Sequence, residues 1–482
     1  MSKFNVRKDN KTQNLAGGSA FSMDAKTELV HAVLTTFLED KFYESGGGRV
    51  DRLKNLIAKN DPVFVAKLAY VARTEFNLRS GSHLLLGELA KTHNGDDLVK
   101  RAIVACAVRP DDLTELAAYV GSPLSKQVKR GIRNAILKFN RYQLAKYKGE
   151  GKAFNLVDLF NLTHPKVQFA NEEQKGAWID LMTGKLVSTD TWESELSKNP
   201  SAEVWERLIL EDKLGYMAMI RNLNNFVKYK ISKEAETKVL DKLTDTEEVK
   251  KSKQLPFRFY TAYTNAKGNR KFTDAISDAM DIAVSNTPNL EGKTLIAIDS
   301  SGSMSSCMDK AAIFGATLMK ANINADVILY DTSVKEYSKS SRIPVVELAD
   351  SIIKSAMGGG TQTSLVFDYA IHKAIKYDRI IIISDNESWN EYDVQSHYNA
   401  YKKQLDTDPF VYAIDIEGYG TTDIQSPKVK HLCGWSERVL DFIGEVEKGN
   451  TLIKYIEGMS FDKPSKLRKT DGSITEEFDG EV

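Results

Sequence analysis

The stretch TLIAIDSSGSMSS, residues 294–306, decides the fold of the second half of this 482-residue chain. It begins with a short apolar run of the kind that forms a buried strand. Asp299, Ser301 and Ser303 come at the end of this run, in the order Asp-x-Ser-x-Ser. Because ligand sites of open parallel sheets gather beyond the carboxyl ends of the strands, the stretch predicts a strand that ends at a binding site.

After this stretch, short apolar runs alternate with helical segments. The further strand-like runs are ADVILYDTS (325–333), RIIIISDNE (379–387) and DPFVYAIDIEG (408–418). The helical segments are KAAIFGATLMKAN (310–322), TSLVFDYAIHKAI (363–375) and VQSHYNAYKKQL (394–405). Such alternation is typical of a doubly wound α/β domain, in which helices cover a parallel sheet. We predict this domain over residues 289–461, with a polar tail over 462–482.

The first half of the chain consists almost entirely of helical patterns. Apolar residues recur at three- and four-residue spacing in DAKTELVHAVLTTFLED (24–40), DPVFVAKLAYVARTEF (61–76), HLLLGELAKTH (83–93), DLVKRAIVACAV (97–108) and LSKQVKRGIRNAILKF (124–139). Asp61, Asp97 and Ser122 are expected to start helices as N-cap residues. Short breaks separate the segments, which favours an all-α module of stacked antiparallel helix pairs over residues 1–288.

The composition excludes several classes of protein. Hydrophobic residues make up 42% of the chain and charged residues 27%, as in ordinary globular proteins. Cys106, Cys307 and Cys433 are far apart, so neither a disulfide framework nor a cysteine-rich zinc module is expected. No apolar stretch reaches the ~18 residues of a membrane span, and the N-terminus lacks a signal-peptide core. These observations favour a cytoplasmic protein.

The oxygen-bearing residues at the predicted strand ends suggest a cation site. Thr361 lies in the glycine-rich GGGTQTS (358–364), and Asp385 ends the run RIIIIS. Together with Asp299, Ser301 and Ser303 they would form an all-oxygen set, which suits a hard cation such as Mg²⁺. Taken singly, each of these residues is more often a turn residue or a helix cap.

A catalytic use of the same residues is the rival interpretation. A phosphoaspartate mechanism needs a second acid two residues after Asp299, where Ser301 stands. A serine nucleophile needs a histidine base, and His372 and His431 are both distant in sequence. We therefore expect no enzymatic activity.

Positive charge is concentrated in the first half of the chain, although the formal net charge is zero. Residues 1–290 carry 45 Lys and Arg against 36 Asp and Glu, and residues 291–482 carry 21 against 30. Between residues 121 and 170, ten positive residues stand against only Glu150 and Asp158. An ordinary solvated surface mixes the two signs, so this excess favours phosphate binding.

Basic and aromatic residues alternate in this region, as suits unpaired bases and their phosphates. On the helix over 124–139, an apolar line faces inward and the cations share another face. The predicted RNA-binding residues are Lys126, Lys129, Arg130, Arg133, Arg141, Lys146, Lys148, Lys152 and His164. His164 alone is about as well explained as a structural histidine.

The motifs DSSGS (299–303), GGGTQT (358–363) and SDN (384–386) resemble, in this chain order, the metal-ion-dependent adhesion site of von Willebrand factor A domains. The resemblance implies that the hydroxyls of Ser301 and Ser303 ligate Mg²⁺. Thr361, Asp299 and Asp385 would act directly or through water. An open coordination position would then accept a carboxylate from a partner.

A second resemblance covers nearly the whole chain. NLAGGSAF (14–21), AKYKGEGKAFNLVDLFNLTHPK (145–166), EVWERLILEDKLGYMAMIRNLNNF (203–226) and LPFRFYTAY (255–263), followed by the A domain, resemble the Ro autoantigen family in its bacterial or phage form. Members share the TROVE module. Lys146 and Lys148 match the family's basic KY segment, and His164 matches its LSH histidine. KGEGKAF departs from the pattern, since it lacks the Trp after Gly and includes Glu150.

The family resemblance implies an all-α ring of HEAT-like repeats closed by the A domain. Y RNA would bind the basic outer surface, and single-stranded ends of misfolded noncoding RNA would enter the hole. We expect a monomeric ring in noncoding RNA quality control, or one that tethers RNA to an exoribonuclease, with neither DNA nor membrane as a partner. Reversal of Lys129, Arg130 and Arg133 to Glu should weaken RNA binding and flatten its salt dependence.

Two alternatives remain open. In the first, the helices form a scaffold without RNA, and the Mg²⁺ site recruits a protein carboxylate. In the second, the chain is a metal-dependent phosphatase or nuclease, whose turnover would be lost in Asp299→Ala.

Overall fold

The computed structural model describes most of the chain. The described residues are 10–35, 46–93, 96–148, 151–166, 168–187, 192, 195–196, 199–252, 254, 256–266, 268–284, 287, 290–322, 324–340, 342–389, 393–433, 443 and 452–460. The polar tail predicted over 462–482 lies outside the described residues. The chain divides into two compact units, unit 1 with Met1–Val50 and Asn199–Leu452, and unit 2 with Asp51–Lys198 and Ile453–Val482.

The described strands all belong to unit 1. They are β1 (Lys11–Gln13), β2 (Ser19–Ser22), β3 (Thr294–Asp299), β4 (Ala325–Tyr330), β5 (Val334–Glu336), β6 (Arg379–Ser384), β7 (Phe410–Asp415), β8 (Thr421–Thr422) and β9 (Val429–Cys433).

The described helices of the first 200 residues are α1 (Ala25–Leu34), α2 (Gly46–Lys59), α3 (Pro62–Thr74), α4 (Arg79–Thr92), α5 (Leu98–Cys106), α6 (Pro110–Val120), α7 (Lys126–Ala135), α8 (Arg141–Lys146), α9 (Leu156–Thr163) and α10 (Glu172–Met182). The later ones are α11 (Ala202–Leu210), α12 (Tyr216–Arg221), α13 (Leu223–Tyr229), α14 (Lys233–Thr244), α15 (Thr246–Ser252), α16 (Pro256–Asn265), α17 (Arg270–Ala283), α18 (Met308–Ala321), α19 (Val345–Ser355), α20 (Leu365–His372), α21 (Val394–Leu405) and α22 (Leu452–Gly458). A helix-rich chain with one α/β sheet domain is therefore confirmed.

The larger sheet has the strand order β5-β4-β3-β6-β7-β9. All neighbours are parallel except β5, which pairs antiparallel with β4 at one edge. Every residue of β3 and β6 is buried, as expected of central strands in a parallel sheet covered on both faces. The chain runs from β3 outward to β4 on one side and later to β6 on the other. The carboxyl ends of β3 and β6 therefore flank the switch point at which doubly wound sheets bind ligands.

Large aromatic side chains fix helices α20 and α21 to the sheet. Phe367 of α20 lies with its ring centroid 5.3 Å from that of Tyr398 on α21, and Tyr401 is also fully buried. Burying an aromatic side chain of this kind contributes roughly 1.5–3 kcal/mol. The same core includes Leu295 of β3 and Ile328 of β4.

Helices from the first part of the sequence also belong to the unit that contains the sheet. Asp281 on α17 accepts a hydrogen bond of 2.9 Å from the backbone N–H of Val345, where α19 begins. The same carboxylate pairs with Lys320 of α18 at 2.5 Å. Helix α17 is thus tied to two of the helices that cover the sheet.

The start signals in unit 2 are only partly those expected from sequence. Asp61 caps α3, since its carboxylate accepts a 2.9 Å bond from the N–H of Phe64. Helix α7 begins after Ser125, which accepts a bond from Val128 N–H, and not after Ser122 as predicted. Asp97 stands at the N-cap position of α5, but its side chain accepts no capping bond, and Asp96 accepts a bond from Leu98 N–H.

Within unit 1, a small second sheet pairs the N-terminal segment with β8. Strand β2 pairs antiparallel with β1, and its other edge pairs with β8 through Phe21 and Thr422. Helix α1 follows, capped by Asp24. Its buried His31 lies with Nδ1 3.2 Å from a carboxylate oxygen of Asp415 at the end of β7.

None of the helices in the described part of the chain has the length and apolar character needed to cross a membrane.

Candidate functional site

The carboxyl end of β3 gathers three of the predicted cation ligands. One carboxylate oxygen of Asp299 accepts a 2.9 Å bond from the backbone N–H of Ser301. The hydroxyls of Ser301 and Ser303 lie 3.2 Å apart, in a short 3₁₀ turn that follows the strand. All three side chains are buried. The turn therefore aims one carboxylate and two hydroxyls at a common point.

The end of β6 adds Asp385 to this group. Because Ile298 of β3 pairs with Ile383 of β6, the two strands end at the same level. Ser384 donates a 2.8 Å hydrogen bond to the second carboxylate oxygen of Asp299. Asp385 Oδ1 accepts a 3.3 Å bond from the backbone N–H of Glu387, and its Oδ2 is buried without a hydrogen-bond partner among the described residues. An orphaned carboxylate oxygen of this kind fits a missing positive ligand.

The glycine-rich loop is fixed against the turn after β3 by two backbone hydrogen bonds. Gly302 N–H donates to Gly359 C=O at 2.9 Å, and Gly358 N–H donates to Ser300 C=O at 2.9 Å. A Cβ at Gly360 would lie 2.4 Å from the ring of Trp389, so a side chain at this position would displace that ring.

The fifth predicted ligand, Thr361, is held beside the end of β6 through its main chain. Its carbonyl accepts bonds of 2.8 Å from the N–H of Trp389 and 3.3 Å from the hydroxyl of Ser388. The residue is buried. The structure therefore brings together the three strand-end segments that were predicted to converge.

The electrostatics of the site favour a cation. Burial raises the pKa of Asp299 to about 6, although hydrogen bonds from Ser301 and Ser384 act in the opposite direction. Burial and the neighbouring Asp299 raise the pKa of Asp385 well above its ordinary value. Two buried carboxyl groups that repel each other resist ionisation, and a divalent cation would relieve that repulsion.

The donor set fits a hard cation such as Mg²⁺. The described residues contain no group of three or more His, Cys, Asp or Glu arranged to hold a metal, so the serine and threonine hydroxyls are needed to complete the site. Carboxylate and hydroxyl oxygens are the ligands that Mg²⁺ prefers. A bound ion would offer a Lewis-acidic position to a carboxylate of a partner. The chain's own residues would hold the ion in position.

The N-terminal segment supports this site through contacts that sequence patterns did not predict. The side-chain amide of Asn14 donates a 2.7 Å bond to Ser388 C=O, and Ala16 N–H donates a 3.0 Å bond to Glu387. Gly18 lies so close to Ser388 that a Cβ would be 1.8 Å from its carbonyl oxygen. Burial raises the pKa of Glu387 to about 7. The glycine pair in NLAGGSAF was the sequence feature that could have indicated these contacts. The residues that the segment contacts lie some 370 residues later in the chain.

The predicted basic surface begins on α7 of unit 2. One side of this helix is buried through Val128 and Ile132. Lys126 and Arg130 are exposed and Lys129 is half-buried, and no ion pair or hydrogen bond of their side chains with the described residues is found. These three cations are available for a ligand.

His164 lies next to this helix. It ends α9 in the left-handed conformation with φ of 46°, and its side chain is exposed. Arg133 donates a 2.7 Å bond to the carbonyl of the preceding residue, Thr163. Arg133 therefore fixes α9 to α7 and brings His164 to the same surface.

The remaining predicted RNA-binding residues have partners within unit 2. Arg141 pairs with Asp180 at 2.5 Å, and Lys152 pairs with Glu115 at 3.3 Å. Lys148 donates a 2.6 Å bond to a backbone carbonyl. These cations stabilise the helices as well as adding positive charge.

Aromatic rings accompany these cations. The Lys146 ammonium lies 5.7 Å from the ring centroid of Tyr142, which is 49% exposed. The Arg109 guanidinium lies 4.4 Å from the ring centroid of Tyr147. Sequence patterns did not single out Arg109, because it lies outside the basic stretch.

Comparison with known proteins identifies two adjoining domains. Residues 163–299 match the TROVE domain, and residues 293–446 match the Ro60 vWA domain. The chain is 24% identical to RNA-binding protein RO60 of Caenorhabditis elegans over 51% of this chain and 42% of that protein. It is 26% identical to telomerase protein component 1 of Rattus norvegicus over 43% of this chain and 11% of that protein. The chain thus spans less than half the length of either relative.

A solved structure has the same fold. The Ro (RSR) protein of Deinococcus radiodurans superposes with a TM-score of 0.64 and 16% identity, covering 87% of this chain and 99% of that one. This likeness, the two adjoining domain matches and the strand-end geometry agree. The chain belongs to the Ro family, with a TROVE domain followed by a Ro60-type von Willebrand factor A domain.

Proposed function

We propose that this chain binds noncoding RNA and has no catalytic activity of its own. The observation that carries the proposal is the group of cations on the surface of α7, Lys126, Lys129 and Arg130, which no acidic residue of the described chain neutralises. Such cations gain most from phosphate, because binding releases the counterions of the nucleic acid. A relative in C. elegans is named as an RNA-binding protein, which supports the same function.

The finer assignment follows the family resemblance. Y RNA-like RNA would lie on the basic surface of α7 to α9, where Tyr142 and His164 can contact bases. Single-stranded ends of misfolded RNA would enter the hole of a ring. The Mg²⁺ site would accept a carboxylate from a partner. The ring would act in RNA quality control or would tether RNA to an exoribonuclease.

The nucleic-acid content of the natively purified protein tests this function. We expect an absorbance ratio that shows bound RNA. The crosslinked RNAs should have structured bodies and single-stranded 3′ ends, and their crosslinks to the protein should lie within residues 121–170. Protein without RNA that also fails to bind an added 3′-tailed RNA would contradict the proposal. That result would favour the helical scaffold that recruits a protein carboxylate through Mg²⁺.

Removal of the turn hydroxyls should weaken cation binding. The double variant Ser301→Ala, Ser303→Ala is expected to bind Mg²⁺ at least about tenfold more weakly in calorimetric titration, since it lacks two of the ligands. The matched control is Ser305→Ala, an exposed serine of the same turn, which should leave the affinity unchanged. Equal affinity in the double variant and the wild type would show that the ion binds elsewhere.

The same site predicts how Mg²⁺ affinity depends on pH. Only the ionised carboxylate binds the ion, and the pKa of Asp299 is raised to about 6. The affinity for Mg²⁺ should therefore fall as the pH is lowered through about 6.

In chelator-treated protein, the raised pKa means that Asp299 keeps its proton in the folded state at pH values where the unfolded state has lost it. The free energy of unfolding should then decrease as the pH rises from about 4 to about 6.

A further inference from the structure

Two large apolar side chains are exposed beside the candidate metal site. Trp389 follows the end of β6 and is 49% exposed, and Leu15 of the N-terminal segment is 54% exposed. By contrast, Trp178 and Trp205 are almost completely buried. Folded chains bury most of their large aromatic surface, and exposed tryptophans are enriched where another protein binds. The two side chains therefore mark a surface that a partner covers.

The indole of Trp389 is fixed against the loop that carries Thr361. Its backbone N–H donates a 2.8 Å hydrogen bond to Thr361 C=O. A Cβ added at Gly360 would lie 2.4–2.5 Å from three atoms of the ring, so the ring packs directly against the backbone of this glycine. The ring is thus held next to a predicted cation ligand, and about half of its surface remains open to solvent.

Leu15 is held beside the same segment through its neighbours in the chain. The side-chain amide of Asn14 donates a 2.7 Å bond to the carbonyl of Ser388, the residue before Trp389. The carboxylate of Glu387 accepts a 3.0 Å bond from the backbone N–H that follows Leu15. Leu15 and Trp389 therefore lie on adjoining segments at one side of the site, and we call this pair the apolar rim.

The segments that surround the site expose no carboxylate among the residues that the structure describes. These segments are 300–306, 331–333, 357–364 and 385–389. Their acidic residues, Asp331, Asp385 and Glu387, are all buried. A carboxylate that approaches a bound cation from outside would therefore meet no exposed charge of its own sign on these segments. The site combines an open cation position, a neutral approach and the apolar rim.

We infer that the partner of this site is a protein segment in which an aromatic or large aliphatic residue stands next to an acidic one. The carboxylate binds at the open position of the cation, and the apolar side chain packs on Leu15 and Trp389. The inference rests on the proposed Mg²⁺ site and adds the feature that selects a partner. Every soluble protein exposes Asp and Glu, so a carboxylate alone would distinguish few partners.

A library of capped heptapeptides tests this selection on the full chain. Asp is fixed at the centre, and the other positions hold any residue except Asp, Glu and Cys. The library is passed over the immobilised protein in Mg²⁺, and the peptides that EDTA releases are sequenced. We expect enrichment of Phe, Trp, Leu or Met at a position next to the Asp. A library with Asn at the centre should release no such peptides, because the amide is a poor substitute for the carboxylate.

A double variant locates the apolar contact. The enriched peptide and its version with Ala in place of the apolar residue are compared by fluorescence anisotropy. The wild type should prefer the enriched peptide at least about tenfold, as expected for burying most of a large apolar side chain. In Leu15→Ser, Trp389→Ala this ratio should fall below about twofold. A weaker metal site would reduce both affinities equally and leave the ratio unchanged.

The matched control is Leu210→Ser, which removes the same kind of side chain from another exposed position of unit 1. It should retain the wild-type ratio. Acidic peptides captured without apolar preference would refute the inference while the Mg²⁺ site stands, and so would a ratio that the double variant retains. Protein that binds Mg²⁺ in calorimetry but captures no acidic peptide would overturn the proposed carboxylate docking as well. Protein that binds no Mg²⁺ would overturn the site itself.

Photocrosslinking gives a measurement that depends on no variant. A peptide with photo-leucine at the enriched position should crosslink to the proteolytic fragments that carry Leu15 or Trp389, and EDTA should prevent the reaction. Crosslinks that lie only in other fragments would place the apolar side chain elsewhere and refute the inference.

Discussion

The triple variant Lys126→Glu, Lys129→Glu, Arg130→Glu is expected to bind structured noncoding RNA about 100-fold more weakly than the wild type at moderate salt. Each reversal removes one cation that binds phosphate and adds a repulsion. The logarithm of the binding constant should also depend less on the logarithm of salt concentration. Its slope should fall by roughly 0.7–0.9 for each phosphate that the protein no longer neutralises, or about 2–3 in all.

The fold should tolerate this change. None of the three side chains forms a hydrogen bond or ion pair with the described residues, and the helix they share is held by Val128 and Ile132. Arg133 is left intact, although the sequence alone placed it in the charge-reversal test. Its guanidinium donates to the carbonyl of Thr163, so its reversal would disturb the packing of α9 on α7.

A matched control separates local binding from net charge. Reversal of the exposed lysines Lys59, Lys213 and Lys251 to Glu alters the net charge by the same amount. This control should weaken RNA binding far less, because it leaves the α7 surface intact. Similar affinity losses in both variants, measured by filter binding over a range of salt, would mean that α7 is not the RNA-binding surface.

The sheet and the convergence of the strand ends could be predicted from sequence because parallel strands leave a local signal. TLIAID and RIIIIS are continuous apolar runs, and both strands are completely buried. The position of the strand ends then follows from the fold, since the carboxyl ends of parallel strands lie at the same edge of the sheet. Asp299 and Asp385 therefore had to lie close together, whichever residues filled the loops.

Features that depend on distant pairing left no such signal. Strand β1 is only three residues long and polar, and β2 pairs with Thr421 and Thr422 about 400 residues later. Periodicity within a window cannot reveal this pairing.

The start of α7 at Ser125, and not at the predicted Ser122, also depended on more than residue type. Both are good N-cap residues, and they flank Pro123. Only backbone geometry decides which one accepts the bond from Val128 N–H. The basic face of α7 is the same for either start, because it depends on the spacing of the cations within the helix.

Asp112→Asn is expected to destabilise unit 2 by about 3–5 kcal/mol, the cost of leaving a buried partner charge unpaired. Asp112 is 3% exposed and accepts bonds of 2.8 and 3.1 Å from the guanidinium of Arg73, itself 4% exposed. It also accepts a 2.8 Å bond from Arg109 N–H, at the start of α6. Urea unfolding at pH 7 measures the loss. As control, Asp51→Asn removes an exposed pair with Lys54 and should cost less than about 1 kcal/mol.

The pH dependence of this loss identifies its cause. Burial alone would raise the pKa of Asp112, but hydrogen bonds from His83 and Arg73 outweigh it and hold the pKa well below its ordinary value. The contribution to stability is therefore complete above about pH 4, the unfolded pKa, and decreases as the pH falls toward the folded pKa. The deficit of Asp112→Asn relative to the wild type should shrink in acid. If the difference in unfolding free energy between Asp112→Asn and the wild type is independent of pH, packing around Asp112 and not its charge stabilises the helices that carry Arg109 and the adjoining basic surface.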